Sequence, residues 1–147
     1  MEKTFSTQQE MIDFGEKLAH VMFPNFIVTL EGDLAAGKTT FTKGIGKGLG
    51  IKRIINSPTF TIVKVYHGTK TLYHFDVYRL EDSDEELGFE EMFEDGGVCV
   101  IEWPQYIKNQ LPEERLDIHI KVNADNSRTF TFNPKGESYK KVVETLL

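Results

Sequence analysis

Two periods of hydrophobic patterning run along this chain, and the switches between them mark out its elements. After Thr7-Gln8-Gln9-Glu10, a capping box in sequence, Met11, Phe14, Leu18 and Met22 recur at helical spacing. That helix is expected to end near Phe23-Pro24-Asn25. The run Phe26-Ile27-Val28-Thr29-Leu30-Glu31 reads as a buried strand, and residues 39–49 as a helix that Gly50 stops. A connector over 52–58 leads to two strand-like segments, 61–66 and 71–76, around His67-Gly68-Thr69-Lys70, which predict an antiparallel hairpin. Ser83 to Glu86 reads as a short capped helical turn. Val98-Cys99-Val100-Ile101 is short and wholly apolar, as a central strand is. Residues 104–110 predict a helix stopped by Leu111-Pro112, and residues 116–122 and 128–132 a second hairpin around Asn123-Ala124-Asp125-Asn126. An amphipathic helix over 137–147 follows. This order of elements gives a three-layer α/β domain of the P-loop NTPase-like kind, with a mixed parallel and antiparallel sheet rather than an all-parallel one.

A length of 147 residues, with 39% hydrophobic and 12% aromatic residues, fits one globular domain with a real core. No apolar run approaches a membrane span and Met1-Glu2-Lys3 begins no secretory signal, so the expectation is a soluble, cytoplasmic protein, monomeric in isolation. The single cysteine, Cys99, reads as a buried small hydrophobe, and the four histidines make no metal-ligand spacing. A net charge of −6 argues against direct clamping of nucleic acid. The charge is uneven, with five basic and no acidic residues over 38–53, and nine acidic and no basic residues over 81–95. The first run suits an anion-binding loop and its solvated helix. The second is either a solvated helical face or a docking surface for a basic partner.

The chemistry centres on Gly32-Asp33-Leu34-Ala35-Ala36-Gly37-Lys38-Thr39, a complete phosphate-binding loop between a strand and a helix. Gly32 and Gly37 allow successive N–H groups to turn inward around phosphate oxygens, and the helix N-terminus adds its positive dipole end. Lys38 supplies a point charge to the β- and γ-phosphates, and the Thr39 hydroxyl is the expected Mg²⁺ ligand. Hydrolysis needs Mg²⁺ held from a second direction and a placed water, and such groups emerge at strand ends beside the loop. Glu102 follows an apolar strand and is the candidate second Mg²⁺ contact. Asp76 ends another strand, either to hold a metal-bound water or orient the nucleophile, or to pair with Arg79. Thr59, stiffened by Pro58, occupies the loop where a hydroxyl can report the γ-phosphate, or is part of a plain turn.

Taken together, Glu31-Gly32-Asp33-Leu34-Ala35-Ala36-Gly37-Lys38-Thr39-Thr40-Phe41, Ser57-Pro58-Thr59-Phe60, His74-Phe75-Asp76-Val77-Tyr78-Arg79-Leu80 and Ile101-Glu102-Trp103 resemble the TsaE family of bacterial tRNA-modification ATPases. One position departs, since the family usually has Gly where this chain has Ala35. The resemblance implies that Asp33 to Thr40 (Asp33, Leu34, Ala35, Ala36, Gly37, Lys38, Thr39 and Thr40) contact ATP, with Thr39 and Glu102 on Mg²⁺. Asp76, Glu102 and Thr59 would then serve turnover or nucleotide sensing. Further nucleotide contacts are implied at Ser6 to Gln8, Thr7 among them, and at Arg128; Thr7 is equally a helix cap. Trp103 reads as a buried aromatic anchor, or as a neighbour of the nucleotide or of a partner. The resemblance also implies partners, TsaD and TsaB, with tRNA reached only through that complex. The alternative function is a small-molecule kinase, but only four arginines are present and they form no lid-like cluster. A GTPase would need an Asn-Lys-x-Asp motif, which the sequence lacks.

Overall fold

The computed structural model describes residues 1–33, 36–56, 62–80 and 88–147. The leading elements are β1 (Glu2–Phe5), α1 (Gln8–Val21), β2 (Phe26–Glu31), α2 (Lys38–Gly48), β3 (Val63–His67) and β4 (Thr71–Asp76). They are followed by α3 (Phe89–Phe93), β5 (Val98–Glu102), β6 (Arg115–Val122), β7 (Arg128–Lys135) and α4 (Glu137–Leu146), with short 3₁₀ segments at Tyr78–Leu80 and Pro104–Gln110. The strands form one mixed sheet in the order β1-β7-β6-β2-β5-β4-β3. Its centre, β6-β2-β5-β4, is parallel, and antiparallel pairs flank it on both sides. Within it β2 and β5 are the most apolar runs, since strands covered on both faces need side chains without polar atoms, whereas β6 alternates.

Alternation along the strands divides the core in two. Phe26, Val28, Leu30, Leu72, Val98 and Val100 turn to one face and pack with α1, α2 and α4. Ile27, Tyr73, Phe75, Cys99 and Ile101 turn to the other and meet Phe89 and Phe93 of α3 and Ile107. Cys99 is wholly buried there, and burial pushes its thiol up to about 12, as befits an inert hydrophobe. This second layer is thin. Over β6 and β7 the same face carries His119, Lys121, Thr131, Asn133 and Lys135, all exposed.

Helices α1 and α2 pack almost backbone to backbone. A Cβ added at Gly44 would lie 2.2 Å from the carbonyl oxygen of Ile12, so only glycine fits at this crossing. The contact holds α2 against the sheet with its N-terminus aimed at the carboxyl ends of the central strands.

Several sequence expectations change here. Strand β1, absent from the periodic reading, pairs antiparallel with β7 from Glu2↔Thr131 to Phe5↔Arg128. Three of its four side chains are exposed, so it carries no amphipathic signal. The predicted 104–110 helix is 3₁₀ in character and kinked at Ile107, and β7 runs on to Lys135. Glu102 is the last residue of β5 rather than a residue beyond it, and it is buried. The Ser83 to Glu86 turn lies outside the described residues, as do Leu34, Ala35 and Thr59.

Candidate functional site

At the carboxyl ends of β2, β4 and β5 lies a cavity of about 540 Å³. Its floor is the start of α2. Gly37 caps that helix in the left-handed region, φ 105°, where a Cβ would be strained. The first backbone N–H groups of a helix have no partner within it, so residues 38–40 present donors to the cavity. Lys38 is 6% exposed. Its Nζ donates to the Gly32 carbonyl at 2.8 Å and lies 3.8 Å from the centroid of the Trp103 ring. Burial pulls this ammonium below its ordinary value, while Glu102, Asp76, Asp33 and Glu31 pull the other way. The Thr42 hydroxyl bonds back to the Lys38 carbonyl, fixing the first turn of α2.

Facing the lysine are two carboxylates. Asp76 and Glu102 close adjacent parallel strands and are register partners, so their side chains leave the same face of the sheet side by side. Asp76 accepts from the Tyr78 N–H at 3.1 Å. Burial raises its carboxyl above the ordinary aspartate value, with the Tyr78 N–H opposing, Glu102 reinforcing, and Lys38 and His74 opposing. Glu102 is 3% exposed and meets Nε2 of the fully buried His74 at 2.5 Å. Immediately after it the chain reverses at Trp103, φ 62°, whose ring packs edge-on against Tyr78.

The third wall comes from the paired chain ends. Because Phe5 stands opposite Arg128, the residues that follow β1 run beside the start of β7. Ser6, Thr7, Gln8, Met11, Asn126 and Arg128 line the cavity there. Thr7 caps α1, its Oγ1 accepting from the Glu10 N–H at 3.1 Å, so it is both a cap and a wall residue. Arg128 Nη1 donates to the side-chain oxygen of Asn126 at 3.0 Å.

The donor set is hard oxygen throughout: the Thr39 and Thr40 hydroxyls and two carboxylates. Among the described residues no three carboxylate, histidine or cysteine side chains gather into a cage for a metal on their own. That is the arrangement Mg²⁺ favours, held by one or two carboxylates while phosphate oxygens and waters complete its shell. A cation at the floor, hydroxyls beside it and carboxylates opposite suit a magnesium-bound polyphosphate.

Of the residues singled out in sequence, Thr7, Gly37, Lys38, Thr39, Thr40, Asp76, Glu102 and Arg128 all line this cavity. Two loop positions stand apart: Asp33 is exposed, and Ala36 is buried in the core, its N–H closing a turn on the Asp33 carbonyl. The charged groups acting on Asp76 include Glu102, Lys38 and His74. Sequence reasoning gave no role to Phe5, Met11, Asn126 or His74. Only for His74 was there a signal: it stands two residues before Asp76 on a strand, hence on the same face.

A family model described as threonylcarbamoyl adenosine biosynthesis protein TsaE matches residues 5–130. The chain is 56% identical over 124 residues to the tRNA threonylcarbamoyladenosine biosynthesis protein TsaE of Bacillus subtilis, covering 84% of this chain and 78% of that one. To the protein of the same name from Treponema pallidum it is 44% identical over 125 residues, covering 84% and 93% respectively. Its fold superposes on the crystal structure of Bacillus subtilis YdiB with a TM-score of 0.88 and 43% identity, over 99% of this chain and 93% of the other.

Proposed function

Because this chain belongs to the TsaE family of tRNA threonylcarbamoyladenosine biosynthesis proteins, we propose that its cavity binds ATP with Mg²⁺ and hydrolyses it in support of a TsaD–TsaB complex. The observation that carries this reading is the convergence of Lys38, Thr39, Asp76 and Glu102 on one cavity of nucleotide size. The triphosphate lies over the start of α2, where Lys38 exchanges the Gly32 carbonyl for the β- and γ-phosphates. Thr39 and Glu102 hold Mg²⁺, which when bound neutralises charge on the phosphate oxygens. Asp76, the more exposed of the two strand-end carboxylates, orients the attacking water. Thr59 is assigned turnover or nucleotide sensing, as the family resemblance implies. The base and ribose rest toward Thr7, Asn126 and Arg128, and the stem of Met11 excludes water there.

The kinase alternative is weakened by the same cavity. Of the four arginines, Arg128 alone lines it, so among the described residues no arginine cluster closes over a transferring phosphate. An acidic chain, −6 overall, suits a protein that leaves tRNA contact to its partners.

The test is ATP hydrolysis by the protein alone and with purified TsaB and TsaD, scoring tRNA modification in parallel. Stimulated hydrolysis together with sustained modification, both lost in Lys38→Ala, is the expected result. Modification indifferent to this chain would sink the coupling role, and wild-type turnover in Lys38→Ala would sink the site.

A further inference from the structure

His74 is a polar residue inside an apolar strand. Leu72, Tyr73, His74 and Phe75 of β4 are all buried, and His74 is 0% exposed. A buried ring nitrogen is costly without a hydrogen bond, so a purely architectural histidine is expected to satisfy both of its nitrogens. This one satisfies one. Its Nε2 meets Glu102 Oε2 at 2.5 Å, while Nδ1 has no hydrogen-bond partner among the described residues. An ionised carboxylate only accepts, so Nε2 carries a proton and donates it to Glu102, and the orphan is Nδ1.

The strand geometry explains why this pair forms. His74 stands opposite Val100, and Glu102 lies two residues further along β5, on the same face. That face is the one against which α2 packs, so the pair sits directly behind the carboxylate's cavity surface. We propose that His74 is a positioning residue for the Glu102 carboxylate: it commits Oε2, fixes the plane of the group, and leaves Oε1 for Mg²⁺ or a water bound to it. A buried histidine on a metal-facing carboxylate is a means of orienting a ligand that would otherwise choose among rotamers. The inference rests on the Mg²⁺·ATP reading of the cavity.

The experiment compares ADP binding, by titration calorimetry, in EDTA and in saturating Mg²⁺. The ratio of the two affinities is the contribution of the metal. Glu102→Gln is expected to abolish most of that ratio. His74→Leu is expected to lower it by about ten-fold while leaving the EDTA affinity unchanged, since outer-shell changes typically cost ten- to a hundred-fold in metal affinity. His74→Gln places an amide N–H near the position of Nε2 and is expected to retain the ratio. Should His74→Leu fail to fold, His74→Asn, polar but too short to reach Glu102, is expected to show the same loss.

A wild-type ratio in folded His74→Leu or His74→Asn, with Glu102→Gln impaired, overturns the positioning role alone. Equal impairment in His74→Gln and His74→Leu also overturns it, because the hydrogen bond would then not be what matters. If Mg²⁺ changes ADP affinity in neither the wild type nor Glu102→Gln, the parent reading has failed and this one falls with it.

Discussion

The ammonium of Lys38 is buried, bonded to the Gly32 carbonyl and capped by an indole ring, and burial depresses its protonation despite four nearby carboxylates. Folding therefore works against the charge that binding needs. Lys38→Met should lose ADP affinity and ATPase activity, yet melt at or above the wild-type temperature, which differential scanning calorimetry would show. Asp76 has the same character with the opposite charge. Its folded value lies above 3.8, chiefly through burial, so the folded protein holds the proton more tightly than the unfolded chain does. Its contribution is favourable at acid pH and is lost as pH rises through the raised value, leaving an ionised Asp76 as a cost at neutrality. Asp76→Asn should therefore slow turnover while raising the melting temperature by roughly 1–3 °C near pH 7. That gain should shrink toward about pH 4, where both states of the wild-type residue are increasingly protonated. A melting temperature below wild type at pH 7 would show that the carboxylate is needed for folding.

Among the elements, those that could be read from sequence are those whose burial pattern is complete. Strand β5 is buried at every position, and α1 shows its apolar face at regular spacing. The glycine–lysine motif stood out because a phosphate-binding backbone requires its glycines and lysine at set intervals, and Gly37, Lys38 and Thr39 line the cavity. Strand β1 was not, since only Phe5 is buried and its partners lie at the far end of the chain. Nor was α3, a single turn and a half held by Phe89 and Phe93 four residues apart within an acidic stretch. The wall around Asn126 was reached only through the family resemblance, which implied Ser6 to Gln8 and Arg128, because those residues meet only through that pairing. One element contact invites a direct test. Gly44→Ala would place a methyl 2.2 Å from the Ile12 carbonyl oxygen, which is backbone and cannot swing aside. A loss of about 2–3 kcal/mol in urea denaturation is expected, with weakened ADP binding as α2 is displaced. A loss under about 0.5 kcal/mol, the range of ordinary surface changes, would mean the helices separate easily.

At the scale of the whole molecule, the sheet joins the first strand to the last, and the cavity inherits that closure. Residues 2–5 pair with residues 128–131, so Thr7 and Arg128 become neighbours only when nearly the entire sequence has been laid down. Closing so long a loop carries an entropic cost, and it cannot happen until residues 128–131 have been synthesised. The residues of the glycine–lysine motif are thus present in the growing chain well before those of the wall. A chain stalled after Val122 should carry an intact glycine–lysine motif and still fail to retain ADP, whereas release of the remaining residues should restore retention; filter capture of labelled ADP on arrested chains would show the difference. On the proposed reading, an unfinished chain holds no nucleotide because the residues that close the cavity are made after the glycine–lysine motif.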